Sequence, residues 1–147
     1  MTNRRTLPQR RPSITFQAEH VASGKPTKFQ VSVGYLDTLD GVPVAPVPVE
    51  VFISGTKAGS EVEATARDGA VLLSIALQYG VPLDVMRGAV TRDATGAPSS
   101  IIGAVVDQIA TQIESPRIEA SEINSRRSTL MQIAREEIAK LGERPNG

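Results

Sequence analysis

From Ser13 onward, apolar and polar residues alternate. Ile14, Phe16 and Ala18 are interleaved with Thr15, Gln17 and Glu19, a period of two that predicts a half-buried strand. Phe29, Val31, Val33 and Tyr35, spaced by Lys28, Gln30, Ser32 and Gly34, predict a second. Ala22-Ser-Gly-Lys-Pro26 between them is a turn signal, so the two strands are expected to form an antiparallel hairpin. Asp37–Pro46, which carries Asp40-Gly41, Pro43 and Pro46, reads as a loop. A third strand places Val47, Val49, Val51 and Ile53 on one face. Pro48 on its other face means that this strand starts late or lies at a sheet edge.

The period then lengthens. Ser54-Gly-Thr-Lys-Ala-Gly-Ser60 ends the sheet, and Ser60 with Glu63 makes a capping box in front of a helix from about Glu61 to Tyr79. Val62, Ala66, Ala70, Leu73 and Leu77 form its apolar row, widened by Leu72, Ile75 and Ala76. Gly80 is a natural stop, and Pro82 suits the first turn of a short second helix that reaches about Thr91. After the break at Thr95-Gly-Ala-Pro98, Ser99 is placed to cap a third helix with Ile101, Ile102, Val105, Ile109 and Ile113 inward. Ser115-Pro116 is expected to interrupt it. A last helix, about Ser121 to Leu141, carries Ile123, Leu130, Ala134, Ile138 and Leu141 on one stripe. Strands first and helices after predict an α+β fold: a small antiparallel sheet of three or more strands, followed by three to four helices packed on one face. Three segments are expected: a basic flexible arm over 1–12, a domain over 13–114, and an additional helix and tail over 115–147.

Composition narrows the function classes. Of 147 residues 40% are apolar but only 3% aromatic, so the core must come from Val, Ile, Leu and Ala. A formal net charge of zero hides an asymmetry. Residues 1–36 carry Arg4, Arg5, Arg10, Arg11, Lys25 and Lys28 against Glu19 alone, and the excess of acid lies beyond them. Such an arm can bind nucleic acid, dock on an acidic partner, or dock on its own body. No interleaved aromatic residues offer a stacking platform, so nucleic acid is not the expected partner. The absence of cysteine removes disulfides, thiolate metal sites and thiol catalysis together. No apolar run approaches the roughly 20 residues of a membrane helix, and no apolar stretch follows the basic start. A soluble cytoplasmic protein is the expectation.

Several stretches carry a resemblance. They are Leu7-Pro8, Arg10-Arg-Pro-Ser-Ile-Thr15, Val31-Ser-Val-Gly34, Glu50-Val-Phe-Ile53, Lys57-Ala-Gly-Ser60 and the run Leu73-Ser-Ile-Ala-Leu-Gln-Tyr-Gly-Val-Pro-Leu83, with an echo at Ser100-Ile101 and Val106-Asp107. Together they resemble the TSCPD domain, the small C-terminal domain of adenosylcobalamin-dependent ribonucleotide reductases, over roughly residues 7–113. The resemblance implies a setting in nucleotide metabolism and a non-catalytic accessory or binding role. The reductase's catalytic barrel, its radical and reducing cysteines and the cysteine motif of the wider family have no counterpart here. No reductase activity is therefore expected of this polypeptide alone, no cofactor is implied, and no site residue carries over. Docking onto a reductase subunit is one expectation. Sequestration of a signalling or cyclic nucleotide by an oligomer is another, and a pure protein-docking module a third.

Read from the residues, the best candidate site is Gly55-Thr-Lys57-Ala-Gly59-Ser60. It joins a strand to a helix N-terminus, where free amides and the helix dipole favour an anion and Lys57 adds a point charge. Lys57 precedes Gly59, so this is not a phosphate loop of the Gly-x4-Gly-Lys kind. A capped turn with a solvated lysine is the plainer reading. Gln78 and Tyr79, at the corner between two helices, can offer hydrogen bonds to a base or ribose. Alternatively Tyr79 packs on the sheet and Gln78 faces water. Arg126 and Arg127 lie beside the apolar stripe of the last helix, a surface suited to homo-oligomer formation and to lining a ligand site between subunits, or equally to packing on its own domain. His20 stands alone, which excludes a multi-histidine metal site. Asp84, Asp93, Asp107 and Glu114 show no ligand spacing. Ser74 is expected to face the core or to bond a carbonyl one turn back.

Overall fold

The alternating segments do pair, and they run further than their patterns indicate. A computed structural model describes residues 3–55 and 57–142, with the backbone alone for 114–121. Strands β1 (Ser13–Ala22), β2 (Lys25–Leu39) and β3 (Val42–Ser54) form an antiparallel sheet in the order β1-β2-β3. Helices α1 (Glu61–Gln78), α2 (Leu83–Ala89) and α3 (Ile101–Gly142) follow, so the fold is α+β as predicted. Among the described residues, no helix is long and apolar enough to cross a membrane.

Both hairpins close on two left-handed residues, Ser23-Gly24 with φ of 51° and 75° and Asp40-Gly41 with φ of 49° and 79°. That backbone twist matches the twist of the strands it joins, which is why Asp-Gly is a strong hairpin signal. The segment 37–46 is therefore not a loop: Thr38 pairs with Pro43 and Leu39 with Val42. The prolines are accommodated because β3 lies at the sheet edge and the register shifts at Gly34/Tyr35 and Leu36/Thr38.

One face of the sheet is buried. Ala18, Phe29, Val31, Val33, Val49 and Val51 are nearly inaccessible, as are Ala66, Ala70, Leu73 and Leu77 of α1 and Val105, Val106 and Ile109 of α3. Burial holds the Tyr35 phenol above its ordinary value. The apolar row of α1 is narrower than its sequence implies. Val62, Leu72 and Ile75 are exposed, because α1 packs along β3, an edge strand, and one side of the helix finds no sheet beneath it. Gly69 lets α3 approach: a Cβ there would stand 2.4 Å from the Ile102 side chain.

The caps are specific. Ser60 Oγ accepts from Glu63 N–H at 3.1 Å at the start of α1. At its end, Gly80 takes φ +82° while Val81 N–H donates to Ala76 O and Gly80 N–H to Leu77 O. Pro82 is the N-cap of α2 rather than its first residue, and Ser100, not Ser99, caps α3 by accepting from Gly103 N–H at 3.1 Å. α3 also continues through Ser115-Pro116, where an interruption is expected. A proline inside a helix removes one donor, and the helix here absorbs that loss. The chain divides into two units, Met1–Thr111 and Gln112–Gly147.

The basic arm is tied to the first unit. Arg5 N–H donates to Gln78 O at 2.9 Å, and Tyr35 N–H donates to Pro12 O at 2.9 Å. Arg11 grips Glu50 through Nε and Nη2 at 2.7 and 2.6 Å, and this bidentate contact raises the Arg11 pKa further. Glu50 lies across Gly34, where a Cβ would fall 2.6 Å from its Oε1. A second ion pair holds the segment after α2. Arg92 donates to both oxygens of Asp107 at 2.8 and 2.7 Å, and this contact, aided by Arg87, holds the Asp107 carboxyl below its usual range.

Gly34→Ala should displace Glu50 and release Arg11, lowering stability by about 1–2 kcal/mol in urea melts. Combined with Glu50→Ala, it should cost clearly less than the sum of the two changes. Because the Asp107 pKa is lowered by folding, its contribution is full above the unfolded carboxylate value and is lost as pH falls through the folded value. Asp107→Asn should therefore lose less stability than the native chain between about pH 6 and about pH 3 in thermal melts.

Candidate functional site

β3 is an edge strand, so every second residue turns its N–H and C=O away from β2. Helix α1 meets that edge with two polar side chains. Val51 N–H donates to Ser74 Oγ at 2.8 Å, and the Ser74 hydroxyl lies 2.8 Å from Ala70 O and 3.2 Å from Val51 O. The bond to the carbonyl one turn back is the one expected of a mid-helix serine. One turn further, Gln78 Nε2 donates to Val49 O at 3.0 Å, and Gln78 Oε1 accepts from Arg4 Nε at 2.6 Å. Gln78 is only 4% exposed, whereas Tyr79 is 45% exposed. The two side chains thus exchange the environments of the plainer reading, and the Gln78 amide is committed within the protein.

Ile53, two residues beyond Val51, turns its backbone groups to the same side. Among the described residues no side chain of α1 meets them. A cleft of about 820 Å³ runs along this edge between β3 and α1. Its floor and lip include Phe52, Ile53, Gly55, Val71 and Ile75, and its polar groups include Arg4, Glu50, Glu63 and Arg67. Phe52 is 60% exposed. The side chain of Arg67 is mostly solvated, and its nearest carboxylate, Glu63 Oε1, stands 3.5 Å away. The cleft thus sets an exposed aromatic ring, a strand-edge amide and carbonyl, and two guanidinium groups along one surface.

The candidate residues divide. Gly55 (φ +93°) and Gln78 both line this cleft. Lys57, Gly59 and Ser60 form the helix cap instead: Ser60 N–H and hydroxyl both donate to Lys57 O, and Gly59 N–H donates to Glu63 Oε2 at 2.6 Å. The Glu63 carboxylate therefore occupies an amide that a phosphate would use, and Glu61 and Asp68 line the adjoining surface. Thr56 lies outside the described residues, as does the side chain of Glu114. Arg126 and Arg127 belong to the second unit, where they line a groove with Ile123, Leu130, Met131 and Ala134. Among the carboxylates, Asp84 lies 3.9 Å from Arg87 Nη1. Asp93 Oδ1 accepts from the Thr95 hydroxyl and from the Thr95 and Ala97 amides, contacts that hold its pKa low. Among the described residues no group of three His, Cys, Asp or Glu could hold a metal ion.

Phe52 and Arg67 are the cleft residues that sequence reasoning missed, whereas Arg4 belongs to the arm whose docking on its own body was among the expectations. A helix facing a strand edge rather than a sheet face leaves no periodic signal, although two arginines in an arm and an aromatic residue in an edge strand are consistent with it.

Ser74→Ala should speed hydrogen exchange of the Val51 amide selectively. Gln78→Leu, which keeps the volume but leaves Val49 O and Arg4 unpartnered, should cost about 1–3 kcal/mol in urea melts.

No family model, curated protein or solved structure matches the chain.

Proposed function

We propose that this chain is a non-catalytic binding module for a nucleotide-type ligand, held in the cleft between β3 and α1. The observation that carries this reading is the cleft along the β3 edge, where the backbone donor and acceptor of Ile53 lie beside the exposed Phe52 and the solvated Arg67. A base stacks on Phe52 and takes its polar edge to Ile53, as an added strand would. Its phosphate meets Arg67, with Arg4 at the far end of the cleft. Aromatic stacking of this kind is worth about 1–3 kcal/mol per base, and a guanidinium matches phosphate geometry.

The resemblance to the TSCPD domain agrees with a nucleotide setting and supplies the non-catalytic character of the proposal. The turn at Gly55–Ser60 contributes Gly55 to the cleft wall, while its amides serve the helix cap. A cyclic nucleotide offers the same base and phosphate chemistry as a linear one, so ligand shape separates the sequestering reading from the accessory one.

The test is calorimetric titration of the full chain with ribonucleotides, deoxyribonucleotides, and cyclic mono- and dinucleotides. Binding of at least one member is expected, and Phe52→Ala and Arg67→Ala, both at solvent-facing positions, should each weaken it about tenfold or more. Binding unchanged in both variants would move the site elsewhere. Failure of every ligand to bind at about millimolar concentration, well weaker than a useful nucleotide affinity, would overturn the proposal and favour the protein-docking reading.

A further inference from the structure

The described residues of the second unit carry a run of exposed apolar side chains. Ile123, Leu130 and Leu141 of α3 are 63%, 67% and 60% exposed. Positions 123, 127, 130, 134, 137 and 141 advance alternately by four and three, the seam of a coiled coil. That seam holds Ile, Arg, Leu, Ala, Glu and Leu in turn, and Met131 and Ile133, also exposed, flank its middle. A lone helix in water is marginal and gains most of its stability by burying such a face.

We propose that residues 122–142 pair antiparallel with the same segment of a second copy, about a two-fold axis level with Gln132. Charge selects both occupant and direction. In a parallel pair Arg127 would meet Arg127 of the second copy, and Glu137 would meet Glu137. Reversal matches every layer of the seam: Ile123 faces Leu141 of the second copy, Arg127 faces Glu137, and Leu130 faces Ala134. The pattern is self-complementary, as a two-fold interface requires. Met131 and Ile133 of both copies then gather at the axis and widen its apolar centre. A charged pair within a seam fixes register at some cost in stability, since only one alignment satisfies it. The one like-charged approach, between Arg126 and Lys140 of the second copy, lies on the flank, where Lys140 is 3.5 Å from Glu137 of its own helix. The groove of about 430 Å³ along Ile123, Arg127 and Leu130 is the receiving surface.

The chain has no cysteine, so introduced thiols report the pairing without interference. Ile123→Cys and Leu141→Cys are made as separate full-length chains and oxidised alone and mixed. Antiparallel pairing produces a covalent dimer in the mixture and little from either chain alone. Covalent dimers from each variant alone would overturn the direction. A mixture that stays uncrosslinked, with native chain sedimenting as a monomer, would overturn the pairing and assign the stripe to the first unit or to a different protein. In a second arm, Arg127→Glu and Glu137→Arg should each raise the dimer dissociation constant about tenfold or more, and the double variant should recover most of the loss. Failure of that recovery would overturn the register. None of these positions lies in the β3–α1 cleft, so the outcome is separate from ligand binding.

Discussion

The unsatisfied edge of β3 is the constraint on which most of the first unit depends. A strand at the end of a sheet presents amides and carbonyls that must find water, another strand or side chains. Here α1 supplies a surrogate: Ser74 bonds Val51, and Gln78 bonds Val49. Two side chains a turn apart on the helix match two residues a pleat apart on the strand, which aligns the helix with that edge. The same requirement recruits the arm, since burying Gln78 leaves its amide oxygen in need of a donor, and Arg4 provides one. Arg11 secures the same arm from Glu50, and Gly34 makes room for the Glu50 side chain.

The cleft is a geometric product of this arrangement. The surrogate contacts cover Val49 and Val51 and stop at Ile53. The polar backbone left without a helix partner there is bordered by whatever the flanking residues supply, in this case Phe52, Val71 and Arg67. Binding capacity thus arises where the internal satisfaction of the edge ends.

Residues whose environment is set by local periodicity were legible from the sequence. Phe29, Val31 and Val33 alternate with polar residues and are buried; Ala66, Ala70, Leu73 and Leu77 follow a helical row and are buried. The capping role of Ser60 and the stop at Gly80 could be read because they depend on chemistry within a few residues. The second hairpin was missed because Pro43 and Pro46 weighed more than the Asp40-Gly41 turn, and the edge position of β3 with its register shifts shows why they are tolerated. Gln78 and Tyr79 illustrate the limit. Helical spacing places both near one boundary of the apolar row, and the tie is broken by a strand carbonyl 29 residues away in sequence. The Arg11–Glu50 contact, 39 residues apart, has no sequence signal beyond opposite charge.

Each strand pairs with its immediate neighbour in sequence, and α1 lies against the strand that precedes it. Such local closures are entropically cheap, so sheet and helix can assemble as soon as their hairpins form. The arm is different, because Arg4 and Gln78 are 74 residues apart. During synthesis the arm leaves the ribosome well before α1, and its anchor does not exist until Gln78 has emerged and folded. Residues made before their anchor therefore take their place after it, and the partly built unit carries a loose cationic strand with its docking surface still to come.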